Sequence, residues 1–332
     1  MKEALYYEKA ANDAVRCLLC PHRCLIRPGK AGICRVRQNV GGRLIATSYE
    51  RISSMMLDPI EKKPLYHFYP GSYILSVGST GCNFRCQFCQ NWSIAQQDAQ
   101  TRRVSSDELV CIGSKDGSIG IAYTYNEPLI WHEYVLECAQ KARTRGMKNV
   151  LVTNGFIEEQ PLMELLPYID AMNIDLKSFR SDYYRKICKG EINAVLRTIQ
   201  RAAADTHVEV TTLIVTGLND SDDEISELSQ WLASVDKDIP IHLSRYFPNY
   251  KMTLPPTPIE TLQRLKNVAD KNLSYVYIGN ITGIDDNTYC PRCGKLLIRR
   301  DIIPMVTGMK DGCCIQCGLK IKGVFEEEDR WT

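Results

Sequence analysis

The chain has 332 residues, of which 44% are hydrophobic, and a formal net charge of +2. Its length suits one α/β domain of about 200–250 residues with smaller additions, and its weak charge argues against a nucleic-acid partner held mainly by electrostatics. Because no apolar run of about 18 residues occurs and the first segment has no apolar stretch, we expect a cytoplasmic protein without a membrane span or secretory signal.

Fifteen cysteines in a chain of this kind indicate metal or iron–sulfur ligation rather than disulfides. The first group, called here the amino-terminal cysteines, consists of Cys17, Cys20, Cys24 and Cys34. Prolines and glycines between them provide turns that would let four thiols converge. We therefore predict a Cys-rich segment over 1–70 with a candidate second metal site, for zinc or a second cluster. The alternative is that these cysteines are small buried hydrophobic residues.

The next group lies in a short loop and is called the loop cysteines: Cys82, Cys86 and Cys89, at C-x3-C-x2-C spacing. Three thiolates in one loop can hold three irons of a [4Fe–4S] cluster and leave the fourth iron open to an outside ligand. A zinc site is the alternative, but structural zinc usually takes four protein ligands. The apolar stretch 72–78 predicts a buried strand that leads into this loop, which would place the loop on the reactive face of an α/β barrel.

Strands and helices alternate after the loop. Apolar and β-branched runs predict strands over 120–125, 149–153, 171–175, 208–215, 241–245 and 275–279, and capping boxes at 105–108 and 221–224 begin two of the helices. Six or seven such units predict a partial, open (β/α)6-type barrel over 71–285.

Polar side chains lie at or just after the ends of these predicted strands, where a charged ligand would bind: Asn126, Glu127, Asn154, Asp175, Lys177 and Arg245. Two alternatives remain open. Asn126 and Glu127 could simply cap a helix, and Asp175 and Lys177 could form an inert ion pair.

The composition changes after 285. Two C-x2-C-G elements supply the carboxyl-terminal cysteines: Cys290, Cys293, Cys314 and Cys317. This spacing predicts a zinc-ribbon-like module over 286–332, with an auxiliary iron–sulfur cluster as the main competitor. Because four thiolates close a zinc site, we expect the metal to fold this tail and present it to a partner or to the active-site mouth.

The C-x3-C-x2-C spacing with Phe88 before the last cysteine resembles the signature of radical S-adenosylmethionine (SAM) enzymes. Together with CLLCPHRC, AYTYNEP, VTNGF, NIDLKSF and TYCPRCG, it resembles the radical SAM members of the AmmeMemoRadiSam system, which are similar to pyruvate formate-lyase activating enzymes. The resemblance covers nearly the whole chain.

The resemblance implies that the loop cysteines ligate a [4Fe–4S] cluster whose open iron chelates the amino and carboxylate groups of SAM. One electron would then cleave SAM to a 5′-deoxyadenosyl radical. Radical SAM enzymes commonly carry a Gly-Gly-Glu-like element that binds the SAM amino group. Here Tyr125-Asn126-Glu127 stands in its place, which transfers that role to Glu127 by position. The other strand-end residues named above would complete the SAM site.

What the radical acts on is left open by the resemblance. We expect a radical SAM oxidoreductase that takes hydrogen from a glycyl residue of a partner enzyme, as activating enzymes do, or from a small metabolite. A one-electron donor such as flavodoxin or ferredoxin would be a second partner. The alternatives are a radical SAM methyltransferase and a zinc-only binding or scaffold protein.

Overall fold

A computed structural model of the protein describes residues 1–115, 117–301 and 303–325. Its centre is an eight-stranded sheet in which the strands lie side by side in chain order. The first strand, Ser54–Pro59, is antiparallel to the second. The remaining seven are parallel to one another, namely Tyr73–Gly78, Gly120–Tyr123, Lys148–Thr153, Ala171–Asp175, His207–Ile214, Ile241–Arg245 and Val276–Gly279.

Helices connect the parallel strands, as the alternating sequence pattern predicts. The longer ones are Ser106–Gly113, His132–Arg143, Glu159–Leu165, Ile192–Asp205, Asp222–Asp236 and Ile259–Ala269. Both helices begin with the predicted serine N-cap, because the hydroxyls of Ser105 and Ser221 accept hydrogen bonds from the backbone N–H of Glu108 and Glu224.

Shorter helical segments lie between these elements. They are two short α-helices at Trp92–Ala95 and Ser181–Tyr183, a π-helix at Tyr184–Cys188, and 3-10 turns at Ile60–Lys62, Pro128–Trp131 and Leu166–Tyr168.

The sheet is open in the described part of the chain, because its first and last strands each have a neighbour on one side only. This confirms the predicted α/β class with an open parallel sheet. The antiparallel strand Ser54–Pro59 was not predicted, and it comes from the segment that we assigned to the amino-terminal unit. No helix within the three described ranges is long and apolar enough to cross a membrane.

The amino-terminal segment forms small sheets that pack against the core. One contains Lys2–Glu3, Arg43–Ala46 and Arg37–Val40, another contains Tyr7–Lys9, Val15–Cys17 and Leu25–Ile26, and Arg51–Ile52 pairs with Arg102–Arg103. A buried ion pair of 2.7 Å joins Arg37 to Glu133 of a core helix, with each side chain 1% exposed. Replacing either residue would leave the other charge buried without a partner, which is strongly destabilising. This pair therefore holds the segment against the core.

The carboxyl-terminal module also consists of short strands: Thr288–Tyr289, Leu296–Arg300 and Pro304–Val306 in one sheet, and Met309–Lys310 with Cys313–Cys314 in another. It packs at the amino ends of the parallel strands. Val324 N–H donates to the carbonyl of His67 over 2.8 Å, and a guanidinium N–H of Arg300 donates to the carbonyl of Tyr66 over 2.7 Å. The module therefore lies opposite the loop cysteines, so of the two expected placements, at a partner or at the active-site mouth, it does not take the second.

Candidate active site

A cavity of about 350 Å³ opens at the carboxyl ends of the parallel strands. All three loop cysteines line it, together with five of the six predicted strand-end residues: Asn126, Glu127, Asn154, Asp175 and Lys177. Because these residues come from four different strand ends, the parallel sheet brings them together although they are far apart in sequence.

The start of the cysteine loop is held by Asn126 and by the shape of Gly81. The Asn126 side chain accepts a hydrogen bond from Ser79 N–H and donates one to the carbonyl of Gly81, both over 2.9 Å. Gly81 has φ +83°, and a Cβ at this position would stand 2.4 Å from the carbonyl oxygen of Cys34. Asn126 therefore positions the loop, and its predicted contact with SAM stays a prediction.

We expect Gly81→Ala to displace the loop and to lower the iron bound per chain by at least half. The left-handed backbone alone should cost about 1–2 kcal/mol, and the contact is with backbone that cannot rotate away. Gly217→Ala is the matched control, because Gly217 has φ +76° with no atom within 4 Å of the added Cβ. Similar iron content in both variants would contradict the steric argument.

The loop thiols lie in surroundings that favour a bound metal cation. Burial raises the pKa of Cys82, and it raises that of Cys89 to about 11. Contact with the thiol of Cys188, followed by burial, raises the pKa of Cys86. Such thiols give up their protons when a metal supplies the compensating positive charge. The sulfur of Cys82 also receives the backbone N–H of Phe84 at 3.3 Å, a donor suited to a metal-bound thiolate.

The donor set fits a [4Fe–4S] cluster with one open iron. Within the described residues, the cavity lining contains no histidine and no cysteine besides the loop cysteines. Cys188 lies beside Cys86 but does not line the cavity. Three thiolates facing an open space match three ligated irons and one iron that is free for an outside ligand, whereas they leave a structural zinc one ligand short.

Glu127 is a buried carboxylate that ties two strand ends together. Its Oε1 accepts from the Thr153 hydroxyl at 2.6 Å and from Leu129 N–H at 2.9 Å, and its Oε2 accepts from Asn154 N–H at 2.8 Å. Burial raises its pKa to about 7, against the opposing effect of these hydrogen bonds. Glu127 thus caps the turn that begins at Pro128, as the simpler interpretation held, and also lines the cavity.

Asp175 and Lys177 form an ion pair of 2.7 Å at the edge of the cavity. Burial lowers the pKa of Lys177, but the charges of Asp175 and Cys86 outweigh it and hold that pKa above its usual value. The ammonium group is therefore a fixed positive charge beside the loop cysteines. This arrangement is consistent with both interpretations of the pair, an inert ion pair and a pair that binds a ligand.

Arg245 is not among the residues that line the cavity. Its neighbour Ser244 lines it instead, because side chains alternate along a strand. The guanidinium Nε of Arg245 donates to the carbonyl of Thr257 over 2.8 Å. A contact between Arg245 and SAM stays a prediction.

Sequence reasoning missed the residues that close the cavity on the side of the antiparallel strand. Lys62, Lys63 and Tyr125 line it there. Asp58 holds two of them, because its Oδ2 accepts from Lys63 Nζ at 2.9 Å and from the Tyr125 hydroxyl at 2.8 Å. The run of charges before Pro64 was the only signal in the sequence, and no spacing rule connects it to the cysteine loop.

The carboxyl-terminal cysteines form a second, separate centre. Their four sulfur atoms lie within 4.8 Å of one another, with 3.5 Å between Cys290 and Cys317 and 3.6 Å between Cys293 and Cys314. One tetrahedral zinc ion with Zn–S bonds of about 2.3 Å would set its sulfurs about 3.8 Å apart. The arrangement is therefore consistent with a zinc-ribbon-like module, as predicted.

We expect Cys314→Ser to remove this metal, lowering zinc from about one ion per chain to none. Proteolysis should then accelerate within 288–325, while iron at the loop cysteines stays unchanged because the two centres lie at opposite ends of the sheet. Cys313→Ser is the control, since Cys313 is adjacent in sequence but outside the group of four. Equal zinc loss in both variants would contradict the assignment.

Comparisons with known proteins agree with this site. Residues 76–232 match the radical SAM superfamily. The chain is 44% identical over 310 residues to the uncharacterized protein MJ0808 of Methanocaldococcus jannaschii, covering 91% of this chain and 92% of that protein.

Two more distant proteins are similar over part of their length. The 4-hydroxyphenylacetate decarboxylase activating enzyme of Clostridium scatologenes is 23% identical over 158 residues, which span 45% of this chain and 50% of that enzyme. SuiB of Streptococcus suis, solved with S-adenosylmethionine bound, superposes with a TM-score of 0.51 at 14% identity, covering 70% of this chain and 56% of SuiB. The latter likeness concerns the fold alone. Because its residues 76–232 match this family and a relative is similar over nearly the full length, the chain belongs to the radical SAM superfamily and is a radical SAM enzyme.

Proposed function

We propose that this chain cleaves SAM reductively and uses the product radical to abstract hydrogen from a glycyl residue of a partner protein. The main observation in support is that the three loop cysteines, Glu127 and the Asp175–Lys177 pair all line one cavity. Thiolates are the ligands that a cluster requires. A carboxylate and an ammonium group are the partners that the amino and carboxylate groups of the methionine part of SAM require.

The cluster, when bound by the loop cysteines, supplies the electron that splits SAM into methionine and a 5′-deoxyadenosyl radical. The protein's own residues bind and orient SAM. A free lone pair of Glu127 would accept a hydrogen bond from its amino group, and Lys177 would share its charge between Asp175 and the SAM carboxylate. The buried rings of Phe84 and Phe88 line the same cavity and would keep water from the radical.

Two observations favour a protein substrate. The described sheet does not close, so its open edge leaves room for an extended peptide beside the cavity. The partial similarity to a decarboxylase activating enzyme, and the resemblance of the motifs to AmmeMemoRadiSam proteins, point the same way. Hydrogen abstraction from a small metabolite is the competing proposal, and it shares every step up to the radical.

The test incubates anaerobically reduced enzyme with SAM and a candidate partner, using flavodoxin or dithionite as the one-electron donor. We expect a glycyl radical in the EPR spectrum and one 5′-deoxyadenosine for each radical formed. The Cys89→Ala enzyme is the matched control and should give neither. Release of 5′-deoxyadenosine only with small molecules would overturn the glycyl proposal, and methylthioadenosine or S-adenosylhomocysteine as the by-product would indicate methyl transfer instead.

A further inference from the structure

The amino-terminal cysteines converge on one small cavity inside their own segment. Cys17 ends a short strand, Cys20 and Cys24 lie in the turn that follows it, and Cys34 comes from the next loop. All four line the cavity, and all but Cys24 are buried. Four thiols from two loops that face one space constitute a ligand set and not four separate packing residues.

The sulfur spacing separates this site from a zinc site. In the described chain, only the carboxyl-terminal cysteines form a group whose ligand atoms all lie within 4.8 Å of one another. No three amino-terminal thiols are that close, and neither are the loop cysteines. A cubane cluster spreads its thiolates because each binds a different iron, whereas zinc draws all four to one point. Neither the amino-terminal cysteines nor the loop cysteines therefore have the close spacing of a single-ion site.

A buried cation faces the same space. Arg37 lines the cavity with 1% of its surface exposed, and its Nη2 pairs with Glu133. Its Nε and Nη1 have no hydrogen-bond partner among the residues that the structure describes. A four-thiolate [4Fe–4S] cluster is an anion whose sulfurs accept hydrogen bonds, so it would satisfy both nitrogens.

The site lies directly behind the loop cysteines. Asn83, the residue after Cys82, lines the amino-terminal cavity, and its carbonyl oxygen is 2.8 Å from the Nε2 of His22. The Cα of Gly81 approaches the carbonyl of Cys34 so closely that no Cβ fits between them. A cofactor in this cavity would therefore be separated from the loop cysteines by little more than one layer of residues.

We propose that the amino-terminal cysteines ligate a second [4Fe–4S] cluster. All four of its irons would carry a protein thiolate, so it would have no open position for SAM and would serve only to take up and release one electron. The proposal concerns the metal at this site and stands whether or not the chain activates a glycyl radical enzyme.

The test uses full-length protein with all three loop cysteines replaced by alanine, purified without oxygen. We expect about four irons and four sulfides per chain to remain, together with zinc at the carboxyl-terminal cysteines. Reduction by dithionite should give a [4Fe–4S]⁺ EPR signal that SAM does not alter. Because the amino-terminal cysteines are intact in this variant, the result does not depend on their tolerance of substitution.

A further substitution in that background locates the iron. Adding Cys24→Ser should reduce iron to less than about one per chain, since Cys24 is the least buried of the four and costs the least packing. Adding Cys111→Ser, at an exposed cysteine on a distant helix, should leave iron unchanged. The proposal is overturned if the triple variant holds a second zinc in place of iron, if it holds no metal beyond the carboxyl-terminal zinc, or if Cys24→Ser retains the iron.

Discussion

Cys89→Ala should lose all measurable formation of 5′-deoxyadenosine from SAM. In the proposed site each loop cysteine would ligate a different iron, so removing one thiolate would leave a cluster with two protein ligands that dissociates or loses its site-differentiated iron. Cys89 is the suitable position because its thiol is only partly buried, and the packing cost of the substitution is correspondingly small. The measurement is 5′-deoxyadenosine by chromatography, alongside iron per chain and the thermal unfolding midpoint.

Cys188→Ala is the matched control for this prediction. Cys188 is fully buried and its thiol contacts Cys86, so it shares the surroundings of the loop cysteines without lining the cavity. We expect this variant to keep its iron and its SAM cleavage. If Cys188→Ala loses iron as Cys89→Ala does, Cys188 is a ligand and the assignment of three thiolates is wrong.

The position of the cysteine loop was predictable because it follows from local pattern. The apolar run 72–78 forms the strand Tyr73–Gly78, the three cysteines follow it within one loop, and strands of a parallel sheet present their carboxyl ends at one edge. The same reasoning placed Glu127, Asn154 and Asp175 at that edge, because Asp175 ends a strand, Asn154 directly follows one and Glu127 lies in the loop after one.

Arg245 shows what such reasoning leaves undecided. It was placed by strand end alone, but whether a side chain faces the cavity depends on a register of one residue, and here Ser244 takes that face. Asp58 and Lys63 were missed for a different reason. Their position beside Tyr125 depends on the antiparallel pairing of Ser54–Pro59 with the first parallel strand. No local sequence pattern predicts that pairing.

The position of the carboxyl-terminal module could not be predicted from its own sequence either. The four cysteines specify how the module folds but not where it docks. Docking depends on long-range hydrogen bonds, such as the one between the Tyr277 hydroxyl and Thr288, and on the Arg300 guanidinium lying 4.3 Å from the ring centre of Tyr66. These contacts lie at the amino ends of the strands, and no described residue of the module lines the cavity.

Glu127→Gln should weaken SAM binding at least tenfold and lower the free energy of unfolding by about 1–3 kcal/mol. The Glu127 carboxylate accepts from Leu129, Thr153 and Asn154 through both of its oxygens. A glutamine has only one oxygen, so its NH2 group must face a backbone N–H, of Leu129 or of Asn154, in a buried site. The strand end that carries Asn154 should then move away from Cys82, whose sulfur lies 3.7 Å from the Asn154 amide.

Glu224→Gln separates the two effects. Glu224 is buried like Glu127, and its Oε1 accepts from Phe179 N–H at 2.7 Å and from the Ser178 hydroxyl at 2.5 Å, but it does not line the cavity. Because both hydrogen bonds use one oxygen, which a glutamine keeps, we expect a smaller loss of unfolding free energy, mainly from the weaker pairing of this side chain with Arg180, and unchanged SAM binding. Urea unfolding gives the first quantity and calorimetric titration of the reconstituted enzyme with SAM gives the second. Equal losses of SAM affinity in the two variants would mean that Glu127 acts only through the stability of the fold and makes no contact with SAM.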